Sequence, residues 1–287
     1  MKKILIDFIK LTKPKLLLLV LITTIAGFYL GSQGSLDIRL MTITLIGTTF
    51  VAAGALVLNQ YIERDIDAIM KRTHNRPLPD GRLQANSALI FGLTLTIAGL
   101  LINFVFVNTL TGILAVISIV SYLLVYTPLK TKSAFCIVIG AVPGALPAAG
   151  GWVAATGSFD QGALILFAIL FFWQIPHSLA IAWLYKGDYE KAGMKLLPDS
   201  YPGDNATGHQ VLINTMALLP IGLMPSILGI TGQLHFFAAL LLGATFALFA
   251  AKFAMNQSIP SAKKLLSASY LYIPFQLGIM SFDRIPY

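Results

Sequence analysis

The stretch MTITLIGTTFVAAGALVL, residues 41–58, carries no charge. With its apolar flanks it is long enough to cross a bilayer as a helix, which needs about 20 residues. Directly after it comes NQYIERDIDAIMKRTHNRPLPDGRL, residues 59–83, with four acids, five bases and a histidine. An apolar span that ends abruptly in a dense polar segment sets the pattern for the rest of the chain.

Over all 287 residues the sequence is 56% hydrophobic and only 11% charged, about half the charge of a soluble globular domain. It reads as an all-α polytopic membrane protein, a single integral membrane domain over residues 1–287. The one cysteine, Cys136, lies in an apolar run, which excludes an internal disulfide framework and a thiolate metal cluster. Spanning runs are expected at about 15–32, 40–61, 87–107, 109–127, 135–155, 162–184, 211–230, 234–255 and 267–283, with a tight break near Asn108. About nine helices follow, because runs this long and continuous are too long for barrel strands and lipid leaves no other way to satisfy the backbone.

The bases then orient the chain. Eighteen of the twenty lysines and arginines fall before the first span or in alternate loops, leaving only Arg39 and Arg284 opposite. The amino terminus and the large polar loops are therefore expected in the cytoplasm and the carboxyl terminus outside. The net charge of +8 is explained by these loops and calls for no nucleic acid. The first residues, MKKILIDFIKLTKPK, have no small-residue cleavage site, and Asp7 and Lys10 interrupt their apolar core, so no removable signal is expected. A bacterial cytoplasmic membrane is the simplest address.

The polar segment has a pattern of its own. Asn59, Glu63 and Asp67 are spaced i, i+4, i+8, which stacks them on one helix face. Like charges repel at that spacing unless a cation sits between them, and hard oxygen ligands suit magnesium holding a substrate phosphate. Lys71, Arg72 and Arg76 follow as donors for diphosphate oxygens. Acids for a metal and bases for an anion imply a magnesium diphosphate ligand; a solvated loop of mixed ion pairs is the plainer alternative. Asn59 at membrane depth favours the functional reading, because polar groups there are costly.

A second cluster, FFWQIPHSLAIAWLYKGDYEKAGMKLLPD, covers residues 171–199. Gln174 and His177 fall inside the sixth span, with Tyr185, Lys186, Asp188, Glu190 and Lys195 at its cytoplasmic end. Asp188 is a candidate second metal ligand. His177 is either a packing histidine satisfied by a neighbour or a contact to the substrate acceptor. A third element, YTPLKTK, puts Tyr126 four residues before Lys130 at another cytoplasmic helix end.

These segments, with the Gly/Pro-rich VIGAVPGALPAAGGW of the fifth span, resemble the signature segments of the protohaem IX farnesyltransferases. Those are the haem O synthases of the UbiA-type intramembrane prenyltransferase superfamily, and the resemblance covers nearly the whole chain. It implies a nine-helix bundle around a central cavity capped by cytoplasmic loops. Farnesyl would pass from farnesyl diphosphate to a vinyl group of haem b, with magnesium as cofactor and haem as substrate. It implies Asn59, Glu63, Asp67 and Asp188 as metal ligands, and Lys13, Arg72, Arg76, Tyr126, Lys130 and Lys186 on the diphosphate. His177 and Trp173 fall to the haem, and a haem O hydroxylase or a terminal oxidase would take the product. Phe171, Phe172, Trp173 and Trp183 would shield an allylic cation by their ring faces or serve only in packing. Glu63 stands where the family usually has aspartate, and Leu196 where methionine is expected. An aromatic acceptor such as 4-hydroxybenzoate, or a chlorin, would need the same metal and diphosphate chemistry. A secondary transporter for an anion would share the basic helix ends and broken helices.

Overall fold

The structure is a computed structural model that describes residues 2–32, 34, 36–197 and 205–285, with the side chain of Lys2 excepted. The side chain of Lys2, among the bases that orient the chain, and Asp199, which ends the second cluster, thus fall outside what is described. Twelve helices follow in chain order among the described residues. They are α1 (Lys2–Leu11), α2 (Pro14–Gly31), α3 (Ile38–Ile62), α4 (Arg64–Ile69), α5 (Ala85–Val107) and α6 (Thr109–Leu129). Next come α7 (Cys136–Thr156), α8 (Gln161–Leu184), α9 (Lys186–Lys191), α10 (Ala206–Ile227), α11 (Gln233–Met255) and α12 (Ile259–Phe282). Nine of these, all but α1, α4 and α9, are long and apolar enough to span a membrane. The protein is a multi-pass membrane protein, and exposed residues such as Leu19, Ile90, Leu124 and Leu241 form its lipid-facing surface.

Short polar side chains set the helix starts. The Asp37 carboxylate accepts from Leu40 N at 2.9 Å, and Asp160 accepts from Gly162 N at 2.9 Å, each satisfying an orphan amide of a helix start. The break expected near Asn108 is real: Asn108 is extended, and its Oδ1 accepts from Thr111 N at 2.8 Å to start α6. The seventh and ninth spans differ most from the hydropathy reading, since α10 begins at Ala206 and α12 at Ile259. In α12 a Ser258–Ser261 capping box and Pro260 start the helix two turns before the apolar run. Those turns hold Lys263 and Lys264, which a hydropathy window rejects although the helix continues through them.

The bundle closes on itself. The helix pairs α2/α7, α3/α5, α7/α8, α8/α10, α10/α11 and α11/α12 pack along their lengths, and α12 returns to touch α8 and α2. Small residues let α2 and α7 meet backbone to backbone. A Cβ on Gly27 would lie 1.9 Å from the Ala148 carbonyl oxygen, and one on Gly151 would lie 2.1 Å from that of Thr24. Gly27 and Gly31 form the G-x-x-x-G spacing by which helices associate in lipid.

Candidate active site

A cavity of about 540 Å³ runs into the bundle between α2, α3, α6, α7 and α8. Its depth is apolar, lined by Val20, Val51, Leu114, Leu146 and Pro147. Its mouth is polar, where Lys13, Asn59, Glu63, Asp67, Arg76 and Lys130 converge.

The acid ladder holds although the helix under it breaks. Glu63 is the joint between α3 and α4, with φ −92° and ψ 7°. Across it Glu63 N still donates to Asn59 O at 2.9 Å, and Asp67 N to Glu63 O at 2.7 Å, so one-turn spacing survives and the three side chains face the cavity. All three are buried. Lys130 Nζ donates to Glu63 Oε1 at 2.6 Å, and Arg76 Nη1 to Asp67 Oδ2 at 2.6 Å. Acids and bases from loops far apart in sequence thus meet around one space.

Asn59 is held by a residue that spacing alone did not single out. Thr127 Oγ1 donates to the Tyr122 carbonyl at 2.8 Å, so its oxygen accepts from Asn59 Nδ2 at 3.1 Å. That fixes the amide and reserves Oδ1 as an oxygen ligand. Thr127 occupies this place because α6 widens to π geometry over Val120–Tyr126, a distortion common at functional sites. The same widening stacks Tyr122 on Tyr126, with ring centroids 5.8 Å apart, and both line the cavity. Lys130 lies 4.5 Å from the Tyr126 ring centre. Burial opposes the charge of Lys130, but Tyr126 and the hydrogen-bonded Glu63 beside it carry its pKa above the ordinary lysine value.

Lys13 sits in the left-handed region, φ 48° and ψ 66°, between α1 and Pro14. It is the single non-glycine residue with positive φ among those described, and such strain clusters at functional sites. Burial, joined by the charges of Arg76 and Lys130, brings its pKa down to about 7 against the opposite pull of Glu63 and Asp67. The loop opposite is tied down as well. Arg82 bonds Asp7 of α1, Asp80 Oδ2 at 2.7 Å and the Asn75 carbonyl at 2.6 Å, which holds the peptide next to Arg76.

Arg72 lines the mouth, donates to the Tyr189 hydroxyl at 3.1 Å and lies 5.2 Å over the Tyr185 ring. Tyr189 therefore belongs to the site, while Lys186 and Asp188 on the same short helix α9 are not among the lining residues. From α8 the lining takes Gln174 and Ser178. Trp173 and His177 face α12 instead. The Ser269 hydroxyl donates to the Leu266 carbonyl at 2.6 Å, so it accepts from His177 Nδ1 at 2.8 Å. That leaves Nε2 as the ring nitrogen with a lone pair. Trp173 stacks on the imidazole at 4.8 Å and donates to Ser269 O at 2.9 Å.

The donor set suits magnesium. Two buried carboxylates and an oriented amide oxygen supply hard oxygen ligands, and magnesium characteristically completes its shell with waters and substrate phosphate. No group of three or more His, Cys, Asp or Glu that could hold a metal ion occurs among the described residues, so the oxygen donors gathered at the mouth are two carboxylates and one amide.

A model of the UbiA prenyltransferase family matches residues 20–273. The protoheme IX farnesyltransferase of Solibacter usitatus is 40% identical, over 97% of this chain and 98% of that protein. That of Aquifex aeolicus is 39% identical, over 97% and 95%. Among solved structures, one of digeranylgeranylglyceryl phosphate synthase superposes with a TM-score of 0.82 at 21% identity, over 99% of both chains. A UbiA homolog from Archaeoglobus fulgidus bound to GPP and Mg2+ gives 0.72 at 14% identity, over 96% of this chain and 99% of that one. At these identities the two structures speak to the fold alone.

Proposed function

The chain belongs to the UbiA prenyltransferase family, and we propose that it transfers the farnesyl group of farnesyl diphosphate to a vinyl group of haem b. Addition of water then gives haem O and diphosphate. As a member of that family the protein is a prenyltransferase. The observation that carries the reading is the buried Asn59, Glu63, Asp67 ladder at the mouth of an apolar cavity, ringed by Lys13, Arg72, Arg76 and Lys130.

Asn59, Glu63 and Asp67 would hold magnesium, whose chemistry there is to neutralise charge on the departing diphosphate. Arg76 and Lys130, now paired with Asp67 and Glu63, turn to the diphosphate oxygens when substrate enters, joined by Lys13 and Arg72. Once turned to the diphosphate, these donors stabilise the developing anion without reorganising water. The carbon–oxygen bond breaks, its electron pair leaves with the diphosphate, and the allylic cation rests in the apolar cavity. A haem vinyl carbon bonds to it, water adds to the resulting cation, and a proton is lost. Tyr122 and Tyr126 offer ring faces to the cation.

Lys186 and Asp188 stay in the reading as diphosphate donor and metal ligand because their helix already contributes Tyr189. Trp173 and His177 are kept for the haem, since an imidazole fixed through Nδ1 presents Nε2 in the manner of an iron ligand. The bundle would sit in a bacterial cytoplasmic membrane with the cavity mouth and amino terminus inside and the carboxyl terminus outside. A haem O hydroxylase or a terminal oxidase would receive the product.

The test is to incubate purified protein with haem b, farnesyl diphosphate and magnesium and to weigh the porphyrin, with Asp67→Ala in parallel. A hydroxyethylfarnesyl gain in the wild type, reduced about 100-fold or more in the variant, is expected. Prenylation of 4-hydroxybenzoate with none of haem would refute the acceptor; inertness with every acceptor would refute the chemistry.

A further inference from the structure

Beneath its mouth the cavity wall carries two uncharged polar groups that are left open. Gln174 and Ser178 stand one turn apart on α8, line the cavity and are half-buried. The Gln174 amide nitrogen donates to the Gly140 carbonyl at 3.4 Å. Its Oε1 and the Ser178 hydroxyl make no hydrogen bond among the described residues, and neither atom is closed off from the cavity. Polar groups at membrane depth are costly and mark function.

The fold gives this pair a seat. A Cβ on Gly144 would lie 2.0 Å from Gln174 Oε1 and 2.5 Å from Nε2, so the amide rests directly against the α7 backbone. One turn earlier, a Cβ on Gly140 would lie 2.6 Å from the Tyr126 ring. Tyr126 at Gly140 and Gln174 at Gly144 thus press on α7 within about one helix turn of each other. Tyr126 in turn packs on Lys130, the base paired with Glu63. The Gln174 amide therefore stands close to the level where the carbon–oxygen bond of a prenyl diphosphate breaks. Thr48 and Ser118 also line the cavity but lie deeper, Ser118 about two turns below Tyr126 on α6 and Thr48 about three turns below Asn59 on α3.

The proposed reaction has one step that calls for polar atoms at that level. Once farnesyl has bonded to the terminal carbon of the vinyl group, the positive charge sits on the inner vinyl carbon, beside the macrocycle. Two fates then compete. In one, water gives a lone pair to that carbon, a carbon–oxygen bond forms, and a proton of the water passes to the departed diphosphate. In the other, diphosphate takes a proton from the neighbouring CH2 and a carbon–carbon double bond forms. A purely apolar wall favours the second fate, because nothing in it holds water beside the cation. We propose that Gln174 and Ser178 hold and aim that water. Gln174 Oε1 accepts one of its hydrogens and the Ser178 hydroxyl donates to one lone pair, which leaves one lone pair for carbon and one proton for diphosphate. The inference rests on the function proposed above and adds what makes its product an alcohol.

The experiment supplies purified full-length protein with haem b, farnesyl diphosphate and magnesium and separates two products by mass, the alcohol and the alkene lighter by one water. Gln174→Met keeps side-chain length and removes the amide, and Ser178→Ala removes the hydroxyl. Gly144→Ala displaces the Gln174 amide without altering either residue. The alkene-to-alcohol ratio should rise about tenfold or more in Gln174→Met and Ser178→Ala. It should rise in Gly144→Ala as well, while Ser178→Thr, which keeps the hydroxyl, should hold the wild-type ratio. Residues that only pack would change the rate and leave the ratio fixed. Should Gln174→Met fail to fold, Ser178→Ala and Gly144→Ala carry the same expectation. A ratio unchanged in the folded variants, or a wild type that already makes mostly alkene, overturns the inference. A wild type that transfers no farnesyl to haem b refutes the proposed function instead.

Discussion

Two adjacent glycines of α7 are expected to answer the same added methyl group in opposite ways. A Cβ on Gly150 would meet no atom within 4 Å and would enter the cavity that this residue lines. Alanine is intrinsically better than glycine in a helix by about 0.5–1 kcal/mol, so Gly150→Ala should leave stability unchanged or raise it by that amount. A Cβ on Gly151 would stand 2.1 Å from Thr24 O and 2.8 Å from Phe28 N. Both are backbone atoms of α2, so relief requires α2 and α7 to part by more than an ångström along a contact that supports the core. Overpacking of this kind costs about 1–3 kcal/mol, more than the helix propensity returns. The buried single cysteine, Cys136, supplies the assay: a thiol-reactive fluorophore reports its exposure during a thermal ramp in detergent. Gly151→Ala should melt lower than wild type by roughly 2–4 °C for each kcal/mol lost, and Gly150→Ala should not. If Gly151→Ala melts at the wild-type temperature, or Gly150→Ala falls as far, the close α2–α7 packing is refuted.

Lys13, proposed above as a diphosphate donor and with its pKa lowered to about 7, should make diphosphate binding depend on pH. Above pH 7 the free site holds neutral lysine, so binding an anion must take up a proton. Farnesyl diphosphate affinity should therefore fall by up to about tenfold per pH unit above 7, measured by calorimetry, and Lys13→Arg should flatten the dependence. The sign for stability is the reverse. Between pH 7 and 10.5 the unfolded chain binds the proton that the folded one lacks, so the unliganded protein gains stability as pH rises through that window. Thr127→Val removes the acceptor that orients Asn59 and leaves a buried N–H unpaired, at about 1–3 kcal/mol. It should lower both kcat and melting temperature, whereas Thr127→Ser should keep both; equal behaviour of the two would refute the positioning role.

The spans and the acid ladder were legible from the chain because the physics behind them is local. Lipid forces long apolar runs into helices, and i, i+4 spacing survives the joint at Glu63 because two backbone hydrogen bonds bridge it. The cytoplasmic turns of α12 were not legible, since Lys263 and Lys264 lower the hydropathy of residues that a capping box nonetheless holds helical.

What only tertiary structure decided is which side of each helix does the work. A spanning helix that is apolar all round carries no stripe to mark its inner face. Nothing in the order Trp173, Gln174, His177, Ser178 therefore tells that Gln174 and Ser178 line the cavity while Trp173 and His177 turn to α12. Pairings between distant residues were equally hidden. Arg82 finds Asp7 across 75 positions, Lys130 finds Glu63 across 67, and Thr127 orients Asn59 across 68. Composition and period determined that the chain crosses a membrane and stacks Asn59, Glu63 and Asp67 on one face at a helix end. Folding alone brought the counter-charges to those oxygens, because a buried charge settles where a partner can repay its lost hydration, and sequence distance plays no part in that balance.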